Sequence, residues 1–466
     1  MTAAVLIAVG ASAFWLGRWG DHAVVSTDVA SGLPPEISMA GHASLRRAVS
    51  VDWGESSAVY RPGDVLPGGM LAFEAGVIEI DFFCGATMVV QGPAELDIES
   101  DWSVRVDRGK LRANVPPAAR GFVVRAAGSD VVDLGTEFAL DVVDDNARVE
   151  VIDGEVKIRG GDHDGDHLHT DDRRWLRGSE VADTVGVSTI DELKIRQDDL
   201  LAERWENWKN SVATLQSDPR LIAYYPIAAS VDERVVVDVA DHTTEQDGVR
   251  VGPVETTRGR FGSLSTGLNF SRPGARVRTR IDGTFDSFTV ATWVRIDSLD
   301  HLYNALLMSD GYETGDLHWQ IRRDGRLMFS IMVDDSQKRW QYNELEQQRV
   351  QTAGLHHVYY SDPVWDDSLS GQWMHVAAVY DPAGRRVTQY VNGQIVASEP
   401  IVDDYFIETL RIGAAEIGNW GQPFRDTPLF AVRNLNGTID ELAIFGEPLS
   451  GDEIRNLYEG GKPVGY

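Results

Sequence analysis

Cysteine is almost absent from this sequence: Cys84 is the one example among 466 residues. An intrachain disulfide is therefore excluded, and with it CxxC redox motifs and cysteine-based zinc sites. Cys84 lies in the apolar run Ile78–Val90, where a thiol is expected as a small buried hydrophobe rather than a nucleophile. Positive charge is also scarce. Lys and Arg total 43 against 72 Asp and Glu, a formal net charge of −29. That balance argues against nucleic acid as a partner, which requires clustered cations to displace counterions. It fits a solvated exterior, and it leaves cation binding open.

What is present is the vocabulary of β structure. Gly contributes 45 residues and Pro 18, interspersed with short β-branched runs. The length exceeds what one hydrophobic core organises, so two or three domains are expected. From Ala43 to Arg159, strand signals recur at short intervals. Gly76-Val-Ile-Glu-Ile-Asp-Phe-Phe, Trp102-Ser-Val-Arg-Val-Asp and Glu137-Phe-Ala-Leu-Asp-Val-Val alternate apolar with polar residues and close on Gly or acidic turns. No helical period interrupts them, which predicts an antiparallel β domain over residues 45–187, with 160–188 irregular. Leu193, Leu200, Leu201, Trp205, Trp208 and Leu215 then recur at helical spacing, predicting a connecting helix over 188–218. From Leu221 strand patterns return, and residues 219–466 suit a two-sheet jelly roll. Ser450 and Gly460 bracket a short final helix.

The N-terminus differs in kind. Thr2 to Gly17 carries no charge, the first basic residue is Arg18, and Trp15 and Trp19 stand near its end. This reads as a transmembrane anchor over residues 1–20, followed by a linker over 21–44. A cleaved signal peptide is the competitor, with Ala11-Ser12-Ala13 as its cleavage site, but the apolar stretch before that site is too short. The expected location is a single-pass protein of the cell inner membrane, with most of the chain periplasmic or extracellular.

Two stretches resemble known families. Gly92-Pro-Ala-Glu-Leu, Arg108-Gly-Lys-Leu-Arg-Ala, Gly121-Phe-Val-Val, Val132-Asp-Leu-Gly-Thr-Glu-Phe and Asp153-Gly-Glu-Val-Lys-Ile resemble the FecR periplasmic domain. Phe288-Thr-Val-Ala-Thr-Trp-Val, Gly371-Gln-Trp-Met-His-Val-Ala-Ala-Val-Tyr-Asp, Tyr390-Val-Asn-Gly-Gln, Leu410-Arg-Ile-Gly and Gly437-Thr-Ile-Asp-Glu-Leu-Ala-Ile-Phe resemble the LamG-like, concanavalin A-type jelly roll. The first resemblance implies a membrane regulator with a sigma factor as partner. This chain departs from that pattern in starting within the hydrophobic segment rather than with a cytoplasmic one. The second resemblance implies a glycan or protein ligand and a structural Ca²⁺. It points to Asp440, with Asp238 as the early acid, as the metal ligands; turn-capping is the alternative role for both.

Other constellations compete for attention. Glu95-Leu-Asp-Ile-Glu99 places three carboxylates on one strand face, as in glycosidases of the concanavalin type. It falls in the FecR-like half, so a polar strand face is the better reading, and no catalytic residue is assigned. Asp162-His-Asp-Gly-Asp-His-Leu-His-Thr-Asp-Asp172 is rich in metal-ligand types but lacks the spacing of a calcium loop. The insertion Asp334–Gly371 is expected to be a long loop presenting Trp340, Tyr342, His356, His357, Tyr359, Tyr360 and Trp365 to a ligand, or packing them onto the sheet. The expected function is non-enzymatic recognition of a glycan or protein at the envelope. A glycoside hydrolase and a passive adhesion scaffold are the alternatives.

Overall fold

A computed structural model describes residues 41–54, 58–143, 146–177, 190–227, 232–240, 246–343, 348–420 and 432–464. The expected membrane anchor and almost all of its linker lie outside these residues. Among the described residues, no helix is long and apolar enough to cross a membrane.

Strands from Ala43 to Arg177 form one sheet of 13 strands, wrapped around a single apolar core. Alternation dictates the faces. In the strand Glu137–Val143, Phe138, Leu140 and Val142 are buried while their neighbours are not. The two long strands Thr87–Ser100 and Ser103–Asn114 each serve two partners. Thr87–Ser100 pairs through Thr87–Gln91 with Ala75–Phe82 and through Ala94–Ile98 with Gly69–Phe73. Ser103–Asn114 pairs antiparallel with Glu137–Val143, but its first residues pair in parallel with Val123–Ala126, a departure from the expected antiparallel domain. The cause is local. Pro116 and Pro117 are unsuited to a tight hairpin, so the chain makes a 3₁₀ turn at Pro117–Ala119 and returns alongside. The segment expected to be irregular also carries strands. His167–His169 pairs with Glu155–Arg159, and Arg173–Arg177 pairs with Asn146–Asp153.

The signature turns of this domain touch one another. Asp133 Oδ1 accepts from the amides of Gly135 (2.5 Å) and Thr136 (3.2 Å), closing an Asx-type turn. Burial raises the Asp133 carboxyl to about 6 despite those bonds. Gly154 opens the following turn with φ +94°, and a Cβ there would lie 2.5 Å from Thr136 Cγ2. Both the positive φ and the close approach require glycine.

Residues from Leu221 onward form two sheets of eight strands each, packed over a shared core. The first strand, Leu221–Tyr225, pairs with the last, Asn436–Phe445, which joins the ends of the domain without a disulfide. The expected loop after Asp334 is instead a long hairpin of Arg326–Asn343 and Gln348–Pro363. Beyond Asp334 the side chains from Asp335 to Lys338 are exposed, so no buried face imposes the alternation that marks a strand in sequence.

Among the described residues there are two α-helices, α1 (Ile190–Leu215) and α2 (Gly451–Gly461). Ser450 and Glu453 form a reciprocal capping box at the start of α2. Helix α1 is held from both sides. Leu200 packs on Val49, Val77 and Val89 of the first domain, while Trp205 and Trp208 pack against Phe261 of the sandwich, at centroid distances of 5.5 and 5.7 Å. A direct bond, Gln372 Nε2 to Asp64 Oδ1 (2.5 Å), also joins the two domains.

Beneath the helices lies a buried ion cluster. The Arg260 guanidinium, fully buried, contacts Asp440 Oδ1 and Glu441 Oε2. Its Nε donates to the carbonyl of Gly461 at the end of α2 (2.7 Å). Trp208 of α1 donates its Nε1–H to the same Glu441 oxygen (2.8 Å). A Cβ on Gly461 would lie 2.6 Å from Trp293 Nε1, so glycine lets the end of α2 settle flat on the cluster. His375 lies beside it, and burial with the Arg260 charge pushes its imidazole down to about 3. As pH falls below about 6.5, the unfolded chain takes up a proton that the folded His375 refuses, so stability is lost, at about 1.4 kcal/mol per pH unit at full effect. Asp133 acts with the opposite sign, since its raised carboxyl binds a proton in the folded state first. Urea unfolding of the wild type and His375→Gln at pH 7, 5.5 and 4.5 cancels that common contribution. The wild type should lose more stability than the variant over this range; parallel pH profiles would show that His375 is not held neutral.

Candidate functional site

The second sheet of the sandwich turns one face to the core and the other outward. In the strand Leu317–Arg322, Leu317, Trp319 and Ile321 belong to the core, so His318 and Gln320 point the other way. Register then fixes a row across six strands. Arg278 stands opposite Glu416, Glu416 opposite Met308, Met308 opposite His318, His318 opposite Ser330, and Ser330 opposite Val358. Residues directly opposite share a face. An adjoining row holds Gln320, Met328 and Tyr360.

This outward face is neither plain nor freely solvated: Glu416 is 0% exposed and His318 4%. The Tyr312 ring stacks on His318 at 3.9 Å and donates its hydroxyl to Ser330 Oγ (2.9 Å). Trp420 meets His318 edge-on at 4.7 Å, and His356 meets Tyr312 edge-on at 5.2 Å. Both His318 Nε2 and Trp420 Nε1 donate to the Ser309 carbonyl, each at 3.0 Å. Arg433 lies over the Trp420 ring (4.6 Å) and donates to Gln320 Oε1 (3.0 Å). At the other end of the row, Glu416 accepts from Arg276 (3.0 Å) and Arg278 (2.9 Å), and Arg278 also grips Asp310. The arrangement offers flat rings, hydrogen-bonding side chains and compensated charges, the mixture that recognises a polar ring-bearing ligand. Both acids, Glu416 and Asp310, are bound by guanidinium groups.

The seven aromatic residues expected to form one loop site are dispersed. Tyr359 and Trp365 are buried in the sandwich core, because their positions in the hairpin and its continuation face inward. His357 stacks on Tyr405 at 4.7 Å, and burial lowers its pKa. His356 and Tyr360 do join the outward face. Trp340 is 64% exposed further along the hairpin, and the side chain of Tyr342 lies outside the described residues. Sequence reading missed Tyr312, His318, Trp420 and Arg433. The alternation in Leu317-His-Trp-Gln-Ile-Arg was the available signal for His318.

The acids expected to bind Ca²⁺ serve other partners. Asp440 is 2% exposed, with Oδ1 against Arg260 and Oδ2 accepting the Arg260 amide (2.7 Å). A guanidinium in that position excludes a divalent cation, so Asp440 does not fit the metal role. Asp440 is the extra residue of a β-bulge, since Trp293 faces Glu441 and Val294 faces Ile439. Asp238 Oδ1 accepts from the amides of Tyr224 (2.8 Å) and Ala240 (3.1 Å), which is the turn-capping alternative. Among the described residues, no group of three or more His, Cys, Asp or Glu side chains is placed to hold a metal ion. In the histidine-rich segment, His163 pairs with Asp166 and His167 with Glu155. In the Glu95-Asp97-Glu99 triplet, Asp97 pairs with Arg105 and Glu99 with Arg125, while Glu95 is exposed and stands opposite Arg108 in the strand register.

A two-sheet sandwich whose end strands pair, joined by a helix to a wrapped β domain, defines the class of protein. Residues 273–455 match the family Laminin_G_3, described as the concanavalin A-like lectin/glucanases superfamily, and residues 87–157 match the family FecR protein. The chain is thus a FecR domain fused to a concanavalin A-like domain. It is 30% identical over 148 residues to Pappalysin-1 of Mus musculus, a match spanning 29% of this chain but 8% of that protein. Among solved structures it is similar to the receptor binding domain of botulinum neurotoxin C/D mosaic serotype, at 15% identity and a TM-score of 0.37, covering 53% of this chain and 55% of that one. The binding domain of Paraclostridial Mosquitocidal Protein 1 is similar at 15% identity and a TM-score of 0.36, covering 51% and 52%.

Removing the carboxylate that faces Arg260 should be severe whether or not calcium is present. Asp440→Asn is expected to cost about 3–5 kcal/mol by removing one of the two carboxylates that meet the buried Arg260 charge. Thermal unfolding in millimolar Ca²⁺ and in chelator would check this. A wild type that drops to the stability of the variant on chelation would restore the metal role.

Proposed function

We propose that this chain is a non-enzymatic envelope protein that recognises a glycan or protein ligand through its concanavalin A-like domain. In this reading, residues 1–20 anchor it in the inner membrane, the remainder lies outside the cytoplasm, and the FecR domain passes ligand occupancy to a regulator partner such as a sigma factor. The observation that carries the recognition role is the outward face of the second sheet, where Tyr312, His318, Trp420 and His356 gather beside Gln320 and Tyr360. Tyr312, His356 and Tyr360 are half-buried there, whereas His318 and Trp420 are buried. Hydrolysis is not part of the proposal, since Glu416 and Asp310 of this face, and Asp97 and Glu99 of the triplet, are met by arginines.

The test is direct. The purified chain without residues 1–40 is applied to an array of bacterial and plant oligosaccharides, alongside Tyr312→Ala and Tyr360→Ala. Retention of at least one glycan is expected, weakened about tenfold, or roughly 1.4 kcal/mol, by either variant. An array that stays blank would contradict the glycan reading. Retention untouched by both substitutions would remove this face from it. The full chain should also sediment with membranes and be degraded by protease added to spheroplasts; recovery in the soluble cytoplasmic fraction would contradict the anchor.

A further inference from the structure

A second concave site lies away from that face, where the FecR domain, α1 and the C-terminal tail meet. It is a cleft of about 400 Å³ whose lining includes Trp53, Tyr60, Arg61, Leu200, Arg204 and Pro463. Volumes of this order hold small ligands, and junctions between domains are preferred places for them. Three features give the cleft a chemical character. Trp53 and Tyr60 meet edge to face, with centroids 5.7 Å apart and planes at 70°, and Phe73 supports Trp53 from a third side at 5.8 Å. The two rings thus form a rigid corner with an apolar wall. Next, the lining among the described residues holds two arginines and no Asp or Glu, in a chain whose acids outnumber its bases 72 to 43. Arg204 makes no ion pair among the described residues, and both guanidiniums lie near enough to bear on the Tyr458 hydroxyl. Finally, Ser50 in the lining has φ +50°, at a register break between Val49 and Asp52. Such a conformation is costly for a residue with a side chain and is found where surrounding structure shapes a site.

We propose that this cleft binds a carboxylated sugar, its pyranose ring seated in the Trp53–Tyr60 corner and its carboxylate held by Arg204 and Arg61. The apolar face of a pyranose suits an aromatic wall, and a planar carboxylate suits the guanidinium fork. Because the lining comes from the FecR domain, α1 and the tail of the sandwich, an occupant here would brace all three. The site is separate from the outward face of the second sheet and does not depend on it.

Calorimetric titration of the soluble chain with digalacturonate, a neutral digalactoside and inorganic phosphate tests the proposal. Digalacturonate should bind, and the neutral sugar should bind at least tenfold more weakly. Arg204→Ala, an exposed helix position whose loss spares the fold, should weaken digalacturonate at least fivefold, and Trp53→Leu should do the same. Tyr312→Ala, on the other face, should leave it unchanged. Failure of digalacturonate to bind would overturn the proposal, as would phosphate binding equally well or a loss caused by Tyr312→Ala and not by Arg204→Ala.

Discussion

A guanidinium can be taken wholly out of water only where its charge is met and its donors are used. For Arg260 the charge is met and Nε and Nη2 are used by groups from several elements, while Nη1 contacts Asp440 without a formal hydrogen bond. Asp440 and Glu441 come from the last strand, the Gly461 carbonyl from the end of α2, and Trp208 of α1 completes the shell through Glu441. The rings of Trp208, Phe261 and Trp293 lie against the guanidinium at 5.1, 4.9 and 5.1 Å. Such a cluster adds little net stability compared with an apolar replacement, but it penalises any arrangement in which one partner is displaced. Both helices are therefore tied in position on the sandwich. Since α1 also carries Leu200 into the first domain, the position of that domain depends on the same arginine.

Much of the architecture could be read from the residues because local chemistry and fold agree. The motif Val132-Asp-Leu-Gly-Thr-Glu-Phe marks a real turn: Asp133 binds the two amides that follow it, and Gly135 takes φ +103°. Its distance from Gly154 in sequence reflects a contact, glycine against Thr136. The helical spacing of Leu200, Trp205 and Trp208 likewise named the face that is buried. What escaped was set by tertiary context. Asp440 sits in a bulge that breaks alternation, and nothing in Thr-Ile-Asp-Glu-Leu announces an arginine from 180 positions earlier. The hairpin past Asp334 extends beyond the core and loses the two-residue period. The ring cluster around His318 joins Tyr312, Trp420 and His356 across segments far apart in the chain.

The two candidate binding regions differ in a way that follows from the fold. The outward sheet face is rich in compensated charge, with Arg276, Arg278, Glu416 and Asp310 already paired. The cleft at the domain junction is lined, among the described residues, by Arg61 and Arg204 and by no Asp or Glu. The former belongs to one domain, and the latter exists only while both domains and α1 are in register. In the proposed relay, recognition on the sandwich would reach the FecR domain through α1 as the connector.

The rigidity of α1 is the central claim, and amide hydrogen exchange on the soluble chain measures it. Isolated helices of this length are marginal in water, so α1 owes its order to packing. If the Arg260 cluster binds α1 into the sandwich, amides from Asp198 to Thr214 should be protected to the same level as those of the strand Asn436–Phe445. Exchange of α1 at the rate of a free peptide, while that strand stays protected, would contradict the account.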